Sequence, residues 1–175
     1  MTPLLLFLAC DLTLTKIAVS GDTKATIEKG TLLEDLVGDL GFAEFVSMDL
    51  TAAEELQNQN VQPGDISSAV LTDFGLEAVS GAPDLNFIAQ MDILVESEAL
   101  PELRIAFATA FPEGEPTVDF QTTGSDITEY LTSQSMTLST DIDAHRPDED
   151  TVVRAYWTVT VGVTTQGAVS NIDRE

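Results

Sequence analysis

Five carboxylates fall within ten residues of one another late in the sequence: Asp141, Asp143, Asp148, Glu149 and Asp150. Hard oxygen donors at such spacing suit Ca²⁺, so Asp141, Asp143, Asp148 and Asp150 are the candidate metal ligands, and Ca²⁺ is the one cofactor the sequence indicates. The stretch DIDAHRPDED departs from an EF-hand loop, which needs Gly at its sixth position and Glu at its twelfth. A solvated turn between two strands is the competing reading. The only histidine, His145, lies in the same polar segment beside Arg146, where it reads as local charge balance rather than as a ligand.

Other chemistries find fewer residues. A serine nucleophile needs an adjacent base, and no Ser occupies a Gly-x-Ser-x-Gly turn. One His and one Cys cannot complete a zinc site. No Gly-rich phosphate loop is present. Paired carboxylates could hydrolyse glycosides, but thirty acidic residues bring some pair together by chance, so proximity alone identifies nothing. Arg104, Arg154 and Tyr156 are outward positions on strands and form a candidate binding face; the same residues could equally cover a wet sheet surface.

The only cysteine, Cys10, follows MTPLLLFLA and precedes Asp11. Leu4 to Leu8 form an apolar run and Ala9 is the small residue before the thiol. This arrangement resembles a bacterial lipobox, in which peptidase cleavage before Cys is coupled to lipid attachment. The resemblance implies a lipid at Cys10, a mature chain beginning there, and a membrane partner through that anchor. Phe7 stands where Leu is usual, and the segment is short and lacks a basic start. A start site placed too late accounts for the shortness and the missing basic start. The alternative is an N-terminal apolar strand with a buried Cys. The run is too short to span a bilayer.

These residues must be positioned by elements whose periods are legible. The segment DLTLTKIAVS alternates through Leu12 and Leu14, then changes phase to Ile17 and Val19. That predicts a strand with a bulge near Thr15 and Lys16. TKATIEKG reads as a second short strand closed by Gly30. TLLEDLVGDLGF shifts to a helical period, with Thr31 and Glu34 as a capping box and Gly41 as its end. TAAEELQNQN repeats that pattern with Leu56 inward, and Val46, Met48 and Leu50 alternate between the two helices.

From about Ile66 to Thr165 the period is two. Inward positions are Phe74, Leu76 and Ala78; Met91, Ile93 and Val95; Leu103, Ile105 and Phe107; Val118 and Phe120; Met136 and Leu138; and Val153, Ala155, Trp157, Val159, Val161 and Val163. SDITEYLTS predicts one helical turn capped by Ser125. About seven to nine strands at regular spacing imply an all-β, antiparallel, Ig-like β-sandwich with two short helical insertions in the N-terminal third. Residues 1–10 read as a signal-like segment and 11–175 as a single domain.

Seven Lys plus Arg face thirty Asp plus Glu, a formal charge of −23. The excess is even: residues 1–87 hold three basic and fourteen acidic groups, and residues 88–175 hold four and sixteen. An even spread describes a solvated acidic surface rather than an interaction tail. It repels phosphate backbones, which argues against nucleic acid as a partner. Adaptation to high external salt explains it as well as a binding role does.

Leu85, Phe87, Met91, Ile93, Val95, Glu96, Ser97, Leu100, Pro101, Ile105 and Ala106, in LNFIAQMDILVESEALPELRIAFATAF, resemble the central signature of a group of largely uncharacterised bacterial lipoproteins. Tyr130, Leu131 and the run from Val152 to Val163 follow in matching order. The similarity covers roughly residues 66–165. It implies an exported, lipid-anchored sandwich with no known catalysis, at the cell envelope or surface, or otherwise secreted. The expectation is therefore a non-catalytic envelope binding or adhesion module. The alternative is a structural subunit of a surface assembly, whose N-terminal apolar segment adds a strand to a neighbouring protein.

Overall fold

The alternating segments form eight strands: β1 (Thr13–Ile27), β2 (Ile66–Ser80), β3 (Ile88–Ser97), β4 (Leu100–Ala108), β5 (Thr117–Asp119), β6 (Gln121–Thr122), β7 (Thr137–Ala144) and β8 (Thr151–Thr164). Among the described residues two short helices, α1 (Glu54–Gln57) and α2 (Thr128–Thr132), and a 3-10 turn at Pro63–Asp65 interrupt them. The computed structural model describes residues 13–30, 54–58, 61, 63–133 and 136–164. The signal-like segment with Cys10, the capping box at Thr31 and Glu34, and the alternation through Val46, Met48 and Leu50 lie outside the described residues.

The strands make two four-stranded sheets, in the orders β1-β8-β2-β5 and β6-β4-β3-β7. Every pairing is antiparallel. The protein is an all-β sandwich. β8 is central to the first sheet, and its alternation is the cleanest in the chain. Val153, Ala155, Trp157, Val159, Val161 and Val163 are all buried, while Arg154, Tyr156, Thr158 and Thr160 look outward and are half-covered by neighbouring strands. The inward sides of both sheets merge into one core, in which Phe74, Leu76, Met91, Ile93 and Ile105 lie deepest. Trp157 reaches that core because its opposite residue on β1 is Gly21. A Cβ at Gly21 would sit 2.6 Å from the indole Cζ2, closer than atoms can pack.

The sheets are tied along one side by a single residue. Phe120 separates β5, bonded to β2, from β6, bonded to β4. Its N–H donates to the Phe74 carbonyl at 2.9 Å. Its ring enters the core edge-on to Phe74 and Phe111, with centroids at 5.0 Å and 6.0 Å. β1 and β7 therefore end the two sheets on the opposite side. α1 packs against β1 through the fully buried Leu56.

Four local expectations are corrected. TKATIEKG is not a separate strand. It continues β1, because β8 is long enough to pair with both halves in one register, from Thr15 opposite Val163 to Ile27 opposite Thr151. The irregularity in β1 falls between Thr13 and Thr15, slightly earlier than Thr15 and Lys16. Phe107 does not face the core. A register shift between β3 and β4 sets Ile93 opposite Ala106 but Leu94 opposite Arg104, leaving Ile105 as the extra residue. The bulge turns Ile105 inward and moves Phe107 to the outer face, opposite Asp92. Ser125 does not cap α2. Asp126 clasps that turn instead, its carboxylate accepting from the N–H and the hydroxyl of Thr128.

Candidate interaction surface

The outward side chains of β8 organise the most elaborate polar surface among the described residues. The register lays two rows across all four strands. One runs Lys24, Arg154, Glu77, Thr117; the next runs Asp22, Tyr156, Gly75, Asp119. Directly opposed residues share a face of the sheet, so the rows bring charges from β1, β2, β5 and β8 together. Arg154 Nη1 lies 3.3 Å from Glu77 Oε2, its Nε lies 4.0 Å from Asp22 Oδ2, and its guanidinium sits 5.4 Å from the centre of the Tyr156 ring. These pairs are half-exposed, so each holds geometry more than it adds stability.

Tyr156 lies across the sheet rather than standing up from it. Its hydroxyl crosses Gly75 and donates to Asp119 on β5. A Cβ at position 75 would fall 2.2 Å from that hydroxyl, so only glycine leaves room for the ring. Burial raises the phenol above its ordinary pKa of 10.0, and the hydrogen bond to Asp119, then its negative charge, push the same way. Tyr156 is thus a neutral donor held in place. Further along the face the pattern turns to hydroxyls: Ser20 Oγ meets Thr158 Oγ1 at 2.9 Å, and Thr72 Oγ1 meets Thr160 Oγ1 at 3.1 Å.

Arg104 does not join this surface. It stands on the outer face of the other sheet, where its guanidinium lies 4.6 Å above the Phe107 ring and 3.0 Å from Asp92 Oδ2. The three candidate residues therefore divide between opposite sides of the sandwich. Asp119, Gly75 and Glu77 were missed. Alternation marks Asp119 and Glu77 as outward, but their meeting with β8 depends on strand order, which alternation does not carry.

The calcium ligand set is not assembled either. Asp141 and Asp143 belong to β7 rather than to a loop, and both point outward. Asp148 is exposed in the connection that follows, and Asp150 Oδ1 accepts the Lys29 N–H at 2.8 Å. Among the described residues no three His, Cys, Asp or Glu side chains gather in a way that could hold a metal ion. His145 is exposed, and its backbone N–H donates to the Phe87 carbonyl at 2.8 Å.

A shallow open cleft of about 370 Å³ lies beside α2, lined by Ser67, Asp126, Thr128, Glu129 and Tyr130. It contains two carboxylates, which invites comparison with a hydrolase. Burial would raise the Asp126 pKa, but bonds from the Thr128 hydroxyl, the Thr128 N–H and the Ala69 N–H outweigh it and hold the group below 3.8. A general acid must keep its proton near neutral pH, whereas these bonds favour the ionised form of Asp126. Tyr130 donates to the Pro101 carbonyl at 2.7 Å and anchors α2 to the body. No helix among the described residues is long and apolar enough to cross a membrane. No family model matches the chain, and neither the curated proteins nor the solved structures contain a match to it.

Proposed function

We propose that the protein is an exported, lipid-anchored β-sandwich that serves as a non-catalytic binding or adhesion module at the cell envelope, Cys10 carrying the lipid. The observation supporting a binding role is the braced face around β8. Tyr156 is fixed across Gly75 by Asp119, and Arg154 is held between Glu77 and Asp22. A face fixed in advance loses little side-chain freedom when a partner docks. The anchor rests on the lipobox resemblance around Cys10.

Two measurements test the reading. Intact mass of the protein from its native membrane should show loss of residues 1–9 and added lipid, and Cys10→Ala should move the protein to the soluble fraction. Purified protein should be retained by isolated cell envelopes, and a Tyr156→Phe, Arg154→Ala double variant, compared at a temperature where both proteins are fully folded, should be retained several-fold less. An unmodified N-terminus with a free thiol removes the anchor; equal retention removes the binding face.

The second reading, a subunit of a surface assembly, is favoured by the outer edge of β7, on which no strand pairs among the described residues. The N-terminal apolar segment would add a strand to a neighbouring subunit. Leu4→Asp with Leu6→Asp should abolish such assembly, and undiminished assembly would dismiss the segment as donor.

A further inference from the structure

The outer face of β8 and its neighbours carries the chemistry of what it would hold. We propose that its ligand is a neutral glycan, a chain of uncharged sugars of the envelope laid across β1, β8, β2 and β5. The proposal rests on the binding role given to this face above and names the class of its partner.

The face is open to solvent in the folded chain. Ser20, Asp22, Thr72 and Asp119 are exposed, and the side chains of Arg154 and Glu77 are 38 % and 35 % exposed. Around Tyr156 the polar groups alternate in kind. Arg154 donates, Asp22 and Asp119 accept, and the paired hydroxyls of Ser20 with Thr158 and Thr72 with Thr160 do both. Of the Ser20 and Thr158 hydroxyls one donates to the other, which leaves one proton and free lone pairs for a ligand. A sugar hydroxyl is itself donor and acceptor, and bonds best where both kinds stand side by side. Adjacent strands lie about 4.8 Å apart and alternate residues of one strand about 7 Å apart, so these groups recur on the scale of successive sugar rings.

Tyr156 supplies the apolar part. Its phenol end lies over Gly75 instead of standing away from the sheet. The negative face of an aromatic ring attracts the C–H side of a sugar, and a ring laid along the sheet offers that face to a chain crossing the strands.

Charge selects among partners. On the outward side of the four strands Lys16, Lys24 and Arg154 meet Asp22, Asp73, Glu77 and Asp119, one negative charge in excess on a chain at −23. An anionic polymer is repelled by the molecule as a whole, and a cationic one finds more carboxylate elsewhere. A protein partner needs an apolar centre depleted of charge, whereas Tyr156 is ringed by charged groups. An uncharged polyol meets none of these objections.

The test applies the purified protein to isolated envelopes before and after periodate oxidation, which cleaves the vicinal diols of sugars. Retention should fall several-fold after oxidation. Glycans released from the same envelopes and divided by anion exchange then serve as competitors: the uncharged fraction should displace the protein and the charged fraction should not. Thr158→Arg sets a long cationic side chain on the face without entering the core, and should lower retention several-fold. Unchanged retention after oxidation, no displacement by the uncharged fraction, or undiminished retention of Thr158→Arg overturns the proposal and leaves the binding face in place. Equal retention of the parent and the Tyr156→Phe, Arg154→Ala variant removes the binding face, and the proposal with it.

Discussion

Gly75 and Tyr156 form a lock in which one residue must be small for the other to lie flat. Gly75→Ala brings a methyl to 2.2 Å from the phenol oxygen. The ring must lift, the bond to Asp119 breaks, and a loss of about 1–3 kcal/mol is expected in urea unfolding. The ionisation of Tyr156 offers a finer probe. Its folded pKa lies above the unfolded value near 10 because burial and Asp119 both favour the neutral phenol. The stability this contributes is intact below pH 10 and is lost as pH rises from there toward the folded pKa. Asp119→Asn should lower the titration midpoint read by ultraviolet difference absorbance; an unchanged midpoint would show that Asp119 has no part in it. None of this is visible in a linear reading. Trp157 could be placed in the core from its spacing alone, but Gly75 appears in sequence only as a small residue inside a strand.

At the scale of elements, α2 depends on Asp126. Its carboxylate joins the helical turn to β2 through the Ala69 N–H. Asp126→Ala should destabilise by about 0.5–2 kcal/mol, the range of a lost helix cap. The hydrogen bonds hold the folded pKa below the ordinary aspartate value of 3.8. This contribution is therefore present above pH 3.8 and disappears as pH falls through the folded pKa. Comparing chemical melts of the parent and Asp126→Ala at neutral pH and near pH 2.5 checks it: the difference between them should shrink in acid. Strand assignments were legible wherever apolar spacing stayed in phase, as in β3 and β8. They failed where pairing overrode spacing. The bulge at Ile105 is invisible to a period-two count, so Phe107 was placed inside. β1 was divided because only its partner reveals that it is continuous. The acidic run at 141–150 looked like one loop because Asp content resembles a turn even where the backbone is a strand.

At the scale of the molecule, a charge of −23 on 175 residues makes self-repulsion a term in stability. The charged pairs among the described residues, such as Arg104 with Asp92 and Arg154 with Glu77, neutralise few of the thirty acids. Screening shortens the repulsive range to about 3 Å at 1 M salt. The melting temperature should rise from low salt to about 1 M NaCl; a flat or falling curve would show that the acids are already balanced in the fold. The acidity itself was fully legible, whereas the arrangement of the few bases was not. Three of the seven, Lys16, Lys24 and Arg154, lie on the outer face of adjacent strands β1 and β8.

The crossing at Phe120 makes the two layers mechanically inseparable. Peeling β5 from β2 drags β6 from β4, because one aromatic residue is the whole length of chain between them. Phe120→Ala should cost about 3–5 kcal/mol. In native-state hydrogen exchange, amides of β2 and β4 should then open together and at lower free energy. The sandwich would thus behave as one cooperative unit hinged shut along that seam, with any slow breathing confined to the rim where β1 and β7 stand.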